Sequence, residues 1–369
     1  LTLRGGYDPL TWVPDPALHP TILDAQGLGR VLTVAGAIAP TVDGFHLVNG
    51  SADNGGGVYA DAAAVTLSRN EIYDNQAEGF GGGVYLVNST ATITGNHIYA
   101  NATGPSGRGG GLVVGSSPAT VSDNLIEGNQ AHVGGGVLLS NNPASGGARL
   151  TGNTIRNNVA FDLLQSGYTF DGAGGGLDTS STVTDTLRSN VISGNSAKWG
   201  GGVHAYGAAI SLVGNRIQEN NAPIHGGGLY IQGGWLRLEN NDVLSNTADS
   251  WGGGLTLLSH NAVVRGNTFR GNASAWRGGG MYAESTTRFD GNLFLGNSAA
   301  HEGGGAFIIR GDGAVYQNSV FAGNQAAAGG GLYIWAADVR LIHSTIVHNS
   351  SADGRAVVID KYPGLVDPT

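Results

Sequence analysis

The 369-residue sequence has no cysteine, one methionine and few charges, since only 12% of its residues are Asp, Glu, Lys or Arg. The absence of cysteine excludes disulfide bonds and leaves the redox compartment undetermined. The 18 basic residues include only two lysines and are outnumbered by 27 acidic residues. No basic stripe is therefore available, and we expect no nucleic-acid partner. No apolar run is long enough to span a bilayer, so we predict no transmembrane segment.

Glycine, by contrast, is abundant, with 65 residues, and much of it occurs in triplets. A Gly-Gly-Gly triplet followed by an apolar residue recurs eleven times, usually at steps of 25 or 26 residues. The triplets begin at Gly55, Gly81, Gly109, Gly134, Gly174, Gly200, Gly226, Gly252, Gly278, Gly303 and Gly329. A fixed period of this size is typical of a solenoid, in which each repeat forms one coil and buries its apolar face against its neighbours.

The repeat consists of strands rather than helices, because glycine is abundant, charges are few and the apolar residues alternate in short runs. Each repeat contains three short strand-like pieces separated by Asn or Gly, such as residues 83–86, 91–94 and 97–99. Parallel crossovers are strongly biased to the right-handed form. The sequence therefore predicts an all-β fold, a single right-handed parallel β-helix solenoid of about 11 to 13 coils with three strands per coil and a 25- to 26-residue repeat.

Aligning the repeats on the triplets produces columns of like residues. Apolar columns, which include Leu86, Ile93 and Ile98 in one repeat, predict the three walls of a continuous core. Two columns of asparagine fall at the corners, where stacked amides can bond to the turn backbone and to each other. The first comprises Asn70, Asn96, Asn124, Asn153, Asn190, Asn215, Asn241, Asn267, Asn292 and Asn318, and the second Asn75, Asn101, Asn129, Asn158, Asn195, Asn220, Asn246, Asn272, Asn297, Asn324 and Asn349.

These motifs resemble the right-handed parallel β-helix superfamily of pectate-lyase-like proteins. Units such as residues 269–272 followed by 278–281, and 294–297 followed by 303–306, are similar to the polymorphic outer membrane protein repeat, which pairs Phe-x-x-Asn with Gly-Gly-Ala-Ile. The resemblance covers roughly residues 45 to 350. It implies an extracellular or cell-surface location and leaves activity open, because the superfamily includes lyases, hydrolases, epimerases, adhesins and passenger domains.

The sequence divides into three parts. Residues 1–50 are expected to form irregular N-terminal coils, residues 51–350 the regular repeat, and residues 351–369 a partial coil or tail. The regular part carries one long insertion at residues 159–173. The chain starts without Met or a signal peptide, so we expect secretion with the leader absent from this chain. Open coil ends would expose strand edges, which makes self-association through the ends possible.

Two rows of residues depart from the structural pattern. The row two positions after each triplet is expected to point outward and is rich in aromatics: Tyr59, Tyr85, Val113, Leu138, Asp178, His204, Tyr230, Thr256, Tyr282, Phe307 and Tyr333. The row just before the triplets comprises Phe80, Arg108, His132, Lys198, Trp199, His225, Trp251, Trp276, Arg277, His301 and Glu302. Aromatic rings pack on the apolar faces of sugars, so these rows suggest a polysaccharide track, with Trp199 and Trp251 about 9.6 Å apart at two strand spacings. Stacked aromatics that only stabilise the solenoid, or a protein-binding face, are the alternatives.

From the two rows, ten residues are assigned as ligand contacts: Tyr59, Tyr85, Trp199, His225, Tyr230, Trp251, Trp276, Arg277, Tyr282 and Tyr333. The best catalytic candidates are Asp178, His204 and Tyr206, which are expected on adjacent coils beside the insertion at 159–173. His204 and Tyr206 could act as base and acid in β-elimination of a uronate polymer, and Asp178 could orient the histidine or pair with another carboxylate for hydrolysis. The histidines are scattered without ligand spacing, so neither a metal site nor a cofactor is expected.

Three functions remain open from the sequence. The leading interpretation is a secreted or cell-surface structural or adhesive β-helix that binds polysaccharide through the outward aromatic rows. The second is a polysaccharide lyase or glycoside hydrolase with its site around Asp178, His204 and Tyr206. The third is a subunit of a surface filament that stacks through its coil ends.

Overall fold

The computed structural model describes residues 1–142, 144–161, 171–311 and 313–360. These residues form a parallel β-solenoid of about 13 coils, in which each coil supplies one strand to each of three walls. The described residues contain fifty strands and no helix, which confirms the predicted all-β fold. They fall into two compact units, Leu1–Lys198 with Ala208–Ile210, and Trp199–Gly207 with Ser211 onward. Within this part of the chain there is no helix that could cross a membrane.

The first unit contains three walls and a short corner sheet, all parallel. Its glycine wall, which follows the triplets, consists of Leu32–Ala35, Val58–Asp61, Val84–Val87, Leu112–Gly115, Val137–Ser140 and Leu177–Thr179. Its second wall consists of Thr2–Arg4, Thr41–Asp43, Ala64–Ser68, Thr90–Thr94, Ala119–Ser122, Arg149–Thr151 and Asp185–Arg188. Its third wall consists of Thr21–Asp24, Phe45–Val48, Glu71–Tyr73, His97–Tyr99, Leu125–Glu127, Thr154–Arg156 and Val191–Ser193. The corner sheet consists of Ser51–Asn54, Gln76–Phe80, Ala102–Thr103, Gln130–Ala131 and Val159–Ala160.

The second unit repeats this plan. Its glycine wall consists of Val203–Tyr206, Leu229–Gln232, Leu255–Leu258, Met281–Ala283, Ala306–Ile309, Leu332–Trp335 and Val357–Asp360. Its second wall consists of Ala209–Val213, whose residues from Ser211 onward belong to this unit, and of Trp235–Glu239, Ala262–Arg265, Arg288–Asp290, Ala314–Gln317 and Val339–Ile342. Its third wall consists of Arg216–Gln218, Asp242–Leu244, Thr268–Arg270, Leu293–Leu295, Val320–Ala322 and Thr345–Val347. The corner sheet consists of Asn221–Ala222, Thr247–Ala248, Ala273–Ser274, Ser298–Ala299, Gln325–Ala326 and Ser350–Ser351.

The predicted apolar columns are the core. Leu86, Ile93 and Ile98, one from each wall of a single coil, are fully buried. In the second unit the third wall stacks Phe269 on Phe294 with ring centroids 4.9 Å apart, and Phe294 on Phe321 follows at 4.7 Å. Each such side chain contributes about 1.5–3 kcal/mol by leaving water. The core columns of the sequence are therefore confirmed.

Both asparagine columns form hydrogen-bonded ladders at the corners, as predicted. Asn246 donates from its backbone N–H and its side-chain amide to Oδ1 of Asn272, each at 3.0 Å. The prediction is wrong for Asn318, which is exposed and adopts a left-handed φ of 51°. In this coil the left-handed corner position is taken by Asn318 and the buried position that follows it by Ser319. Asn318 instead donates to Asp290 on the surface.

A further polar ladder, which the sequence analysis missed, lies at the third corner of the first unit. Ser89, Ser117, Asn141 and Ser181 are buried, and each side-chain oxygen accepts a backbone N–H from the preceding coil. Because this column contains both serine and asparagine, no single residue type marks it in the sequence. The ladder satisfies corner N–H groups that burial would otherwise leave without partners.

Candidate functional site

The outward row of the glycine wall is largely buried, which corrects the expectation that it faces water. Tyr230 and Tyr282 are each 3% exposed, and Phe307 is fully buried. Neighbouring rings surround these side chains: the ring of Tyr230, for example, lies 5.4 Å from those of both Trp199 and His204. The first glycine of the triplet approaches only the base of this side chain, since a Cβ added to Gly226 would lie 2.8 Å from Cβ of Tyr230. These side chains form a second apolar layer outside the core.

In the second unit, rings of this row and of the pre-triplet row together form one continuous stack. His225 stacks on Trp251 at 4.0 Å, and Trp251 on Tyr282 at 4.6 Å. Tyr282, Phe307 and Tyr333 follow at intervals of 5.4 Å. The rings are nearly parallel, because one ring per coil repeats at the strand spacing. We call this stack, together with Trp276, Arg277 and Glu302 beside it, the aromatic ridge.

The pre-triplet row divides into two columns that the sequence analysis had merged. Bridges join Trp199, His225, Trp251, Arg277 and Glu302 in one column, so that Trp199 and Trp251 lie two strands apart as expected. Trp276 belongs to the neighbouring column and is 42% exposed. It is the most exposed of the ten residues assigned as ligand contacts.

Arg277 occupies a cage of rings at the centre of the ridge. Its guanidinium carbon lies 4.9 Å from the ring centroid of Trp276, 4.8 Å from that of Phe307 and 5.0 Å from that of Trp335. Its Nε donates to Glu302 Oε2 at 2.6 Å. Cation–π contacts and the charge-assisted hydrogen bond together fix the guanidinium over the ring of Trp276.

Burial shifts the pKa of three groups in the ridge. It lowers the pKa of His225 to about 4, so this imidazole is neutral at pH 7, and its Nδ1 accepts the backbone N–H of Trp251 at 3.2 Å. Burial also raises the pKa of Tyr282 to about 12. The pKa of Tyr333 is raised to about 12 by burial and by its hydrogen bond to Asp360. Apart from the Arg277 and Glu302 pair, these ring side chains of the ridge are therefore uncharged at pH 7.

The neutral state of His225 makes stability depend on pH. Its pKa is about 6.5 in an unfolded chain and about 4 in the folded protein, so the unfolded state binds more protons between these values. Stability is then highest above pH 6.5 and decreases as the pH falls toward 4. We expect a smaller decrease for His225→Phe, which retains a ring but cannot be protonated. Urea midpoints of both proteins at pH 7, 5.5 and 4 measure the difference, and equal decreases would contradict the assignment.

The aromatic row of the first unit is shorter. Tyr59 and Tyr85 are half-buried, with centroids 5.7 Å apart, and Phe80 stacks on Tyr85 at the same distance. Arg30 lies over Tyr59 at 4.6 Å. The row then changes to Val113 and Leu138, which are buried with Val133 in a small cluster. The most exposed ring of this row is Phe80, at 38%.

The three catalytic candidates differ in exposure. Asp178 lies in the first unit and is 6% exposed, whereas His204 lies in the second unit, is 2% exposed and stacks on Tyr230 at 5.4 Å. Tyr206 alone is exposed. A polymer needs accessible reacting groups, and the carboxyl and imidazole are buried. The wall or lid expected from the insertion falls largely outside the described residues, so the catalytic assignment stays a prediction.

A surface cluster on the third wall of the first unit was missed by the sequence analysis. His97 lies between two carboxylates, with Nδ1 3.0 Å from Glu71 Oε2 and Nε2 2.8 Å from Glu127 Oε1. Arg156 binds the other oxygen of Glu127 at 2.5 Å and is the main cause of the lowered pKa of that carboxyl. The sequence did contain a signal for this cluster, namely the two columns that flank the buried isoleucines of the third wall. Glu71 and His97 are neighbours in one of these columns.

This cluster suits structural cross-linking better than acid catalysis. The His97 ring lies between carboxylates of the coils on either side, so the cluster links three coils. A general acid needs a raised pKa, whereas that of Glu127 is lowered. The groove of about 540 Å³ beside it, lined in part by His46 and Arg69, is open and carries mixed charges. In the described ranges, no group of three or more His, Asp or Glu side chains is placed to hold a metal ion.

Comparison with known proteins was consistent with the fold. A family model described as a right-handed β-helix region matches residues 39–208 and 145–305, which is more than half of the chain. No curated protein matches the chain. Among solved structures, the crystal structure of the Dettilon tailspike protein is similar, with 13% identity and a TM-score of 0.38 over 87% of this chain and 62% of the tailspike chain. The chain thus spans less than two thirds of the tailspike's length.

Proposed function

Because the chain belongs to the right-handed β-helix family, we propose that it is a structural and adhesive module of the cell surface or extracellular space that binds polysaccharide along the aromatic ridge. The family alone sets no activity, since one fold carries many functions. The proposal rests on the geometry of the second unit. It differs from the expectation of a fully outward aromatic track, because most rings of the ridge lie below the surface.

The observation that carries the proposal is the exposed ring of Trp276. This indole is 42% exposed and lies directly beside the Arg277 and Glu302 pair. A pyranose needs an apolar platform for its C–H face and fixed donors and acceptors for its hydroxyls. The indole supplies the first, and the guanidinium and carboxylate supply the second. His301, whose ring centroid is 6.4 Å from that of Trp276, borders the same surface.

The buried stack contributes rigidity rather than contact. Tyr282 and Phe307 pack with Ile309 in one cluster, against which Trp251 and Trp335 are packed. A side chain that is already fixed loses little conformational entropy when a ligand binds. The layer under the ridge therefore preorganises the cage around Arg277, and through it the position of Trp276.

Replacing Trp276 with alanine tests the proposal. We expect about tenfold weaker binding of the polysaccharide that the wild-type protein prefers, because a ring that covers a sugar face contributes on the order of 1.5 kcal/mol. Isothermal titration against a panel of neutral and acidic polysaccharides measures it. Trp12→Ala is the matched control, since Trp12 is 76% exposed in the first unit and lies outside the ridge.

Two results would contradict the proposal. Equal affinities of Trp276→Ala and wild type would show that the sugar binds elsewhere on the protein. Absence of binding to every member of the panel would leave a purely structural β-helix. New reducing or unsaturated chain ends during the titration would instead favour the catalytic alternative around Asp178, His204 and Tyr206.

A further inference from the structure

We infer that the aromatic ridge selects a neutral polysaccharide and discriminates against polyuronates and other polyanions. This inference rests on the proposed function and specifies the ligand class of the same site. It departs from the uronate chemistry that was considered for the catalytic alternative. The charges around Trp276 carry the argument.

The cation nearest to Trp276 is already compensated. Arg277 shares a short hydrogen bond of 2.6 Å with Glu302, and the two side chains are only 19% and 24% exposed. Recognition of a carboxylate by arginine uses an open, planar pair of donors. Here the Nε edge is taken by Glu302, and the planar faces are covered by rings. A uronate carboxylate would have to compete with Glu302 for this guanidinium.

Among the further charges near the ridge, Arg310 is paired with Glu284 at 3.5 Å, and Asp249 and Asp360 are negative. Asp249 is exposed on the coil before Trp276, next to the paired residues Ala248 and Ser274. Asp360 accepts the hydroxyl hydrogen of Tyr333 at 3.0 Å at the other end of the stack. His225 is buried and uncharged at pH 7. Together with a net charge of −9 for the chain, these carboxylates repel a polyanion at low salt.

A neutral sugar, in contrast, has hydroxyls that suit both members of the Arg277 and Glu302 pair. Each hydroxyl both donates and accepts, so one hydroxyl can accept from the guanidinium while its neighbour donates to the carboxylate. Such contacts leave the Arg277 and Glu302 ion pair intact. The ring of Trp276 then covers the C–H face of the same sugar residue. The site therefore favours hydroxyl-rich, uncharged polymers.

The first test compares wild-type affinities for a neutral glucan and a polyuronate of similar chain length. It is done at pH 8, where an ordinary histidine is uncharged. We expect at least tenfold tighter binding of the glucan at 20 mM salt. We also expect glucan affinity to be unchanged at 300 mM salt, because neutral ligands are not screened.

The second test removes the carboxylate that neutralises Arg277. In Glu302→Gln the guanidinium loses its counter-charge, and we expect polyuronate affinity at 20 mM salt to rise about five- to tenfold. Glu239→Gln is the control, because it makes the same change in net charge on the second wall, where Glu239 pairs with Arg237 at 2.7 Å. Far-ultraviolet circular dichroism verifies that both variants are folded.

The outcomes separate the inference from the proposed function. Tighter binding of the polyuronate by the wild type, with binding lost in Trp276→Ala, would overturn the inference and leave the proposed function standing. Binding of neither polymer would overturn both. An equal gain in polyuronate affinity in the Glu302→Gln and Glu239→Gln proteins would mean that selectivity comes from net charge, and it would overturn the role of the ridge. A gain confined to Glu302→Gln supports the inference.

Discussion

Replacing Gly227 with alanine is expected to destabilise the protein by more than about 3 kcal/mol, because overpacking against backbone on two sides exceeds the usual cost of an added methyl group. The added Cβ would overlap the carbonyl oxygen of Thr247 and lie 2.6 Å from that of Gly253. Both oxygens belong to backbone that is held between coils by hydrogen bonds. The coils cannot separate locally without breaking the ladder.

Two further glycine variants separate steric overlap from backbone strain. Gly29→Ala has open space and no left-handed φ, so we expect stability close to that of the wild type. Gly296→Ala also has open space but a φ of +59°, and should cost about 1–2 kcal/mol. In urea unfolding, we expect the loss of stability to increase in the order Gly29→Ala, Gly296→Ala, Gly227→Ala. A Gly227→Ala midpoint close to that of Gly29→Ala would show that the triplets are not required for close approach of the coils.

The second large effect is expected for Asn272→Ala, which removes one rung of an asparagine ladder. Asn272 Oδ1 accepts both the backbone N–H and the side-chain amide of Asn246, and its own amide donates to Val243 O at 2.9 Å and Asn297 Oδ1 at 3.0 Å. All of these groups are buried, and each one left without a partner costs about 1–3 kcal/mol. We therefore expect a total loss of at least about 3 kcal/mol, measured by urea unfolding.

Asn261→Ala is the matched control for this variant. Asn261 lies in the same unit and is exposed, so its truncation should change stability by less than about 0.5 kcal/mol. Similar stabilities of the two variants would mean that the ladder is replaceable by water at the corner, and would remove it from the account of what holds the coils together.

The sequence was sufficient for the fold because the features that build the coil repeat in register. The glycine triplets mark where coils approach closely, and the columns through Leu86, Ile93 and Ile98 mark the walls. Alternation reveals which side chains point away from the core. It does not reveal what lies over them, and rings from neighbouring coils and from the pre-triplet row cover Tyr230 and Tyr282. For that reason the expected exposure of the aromatic row was wrong.

The candidate site was only partly predictable for a related reason. Trp276 and Arg277 were recognised as unusual, but neighbours in sequence belong to different columns, and only the bridge register separates them. The partnership of Arg277 with Glu302 depends on that register. The cluster at His97 depends likewise on which outward residues stand above each other on the third wall. Side-chain direction within a column cannot be read from residue type alone.

The most direct test of the central claim is a crystal structure of the protein with a neutral oligosaccharide bound. The account predicts a pyranose packed on the exposed part of the Trp276 ring, with hydroxyls hydrogen-bonded to Arg277 and Glu302 while the pair between them stays intact. A sugar bound with full occupancy on another wall, or a sugar that displaces Glu302 from Arg277, would contradict it.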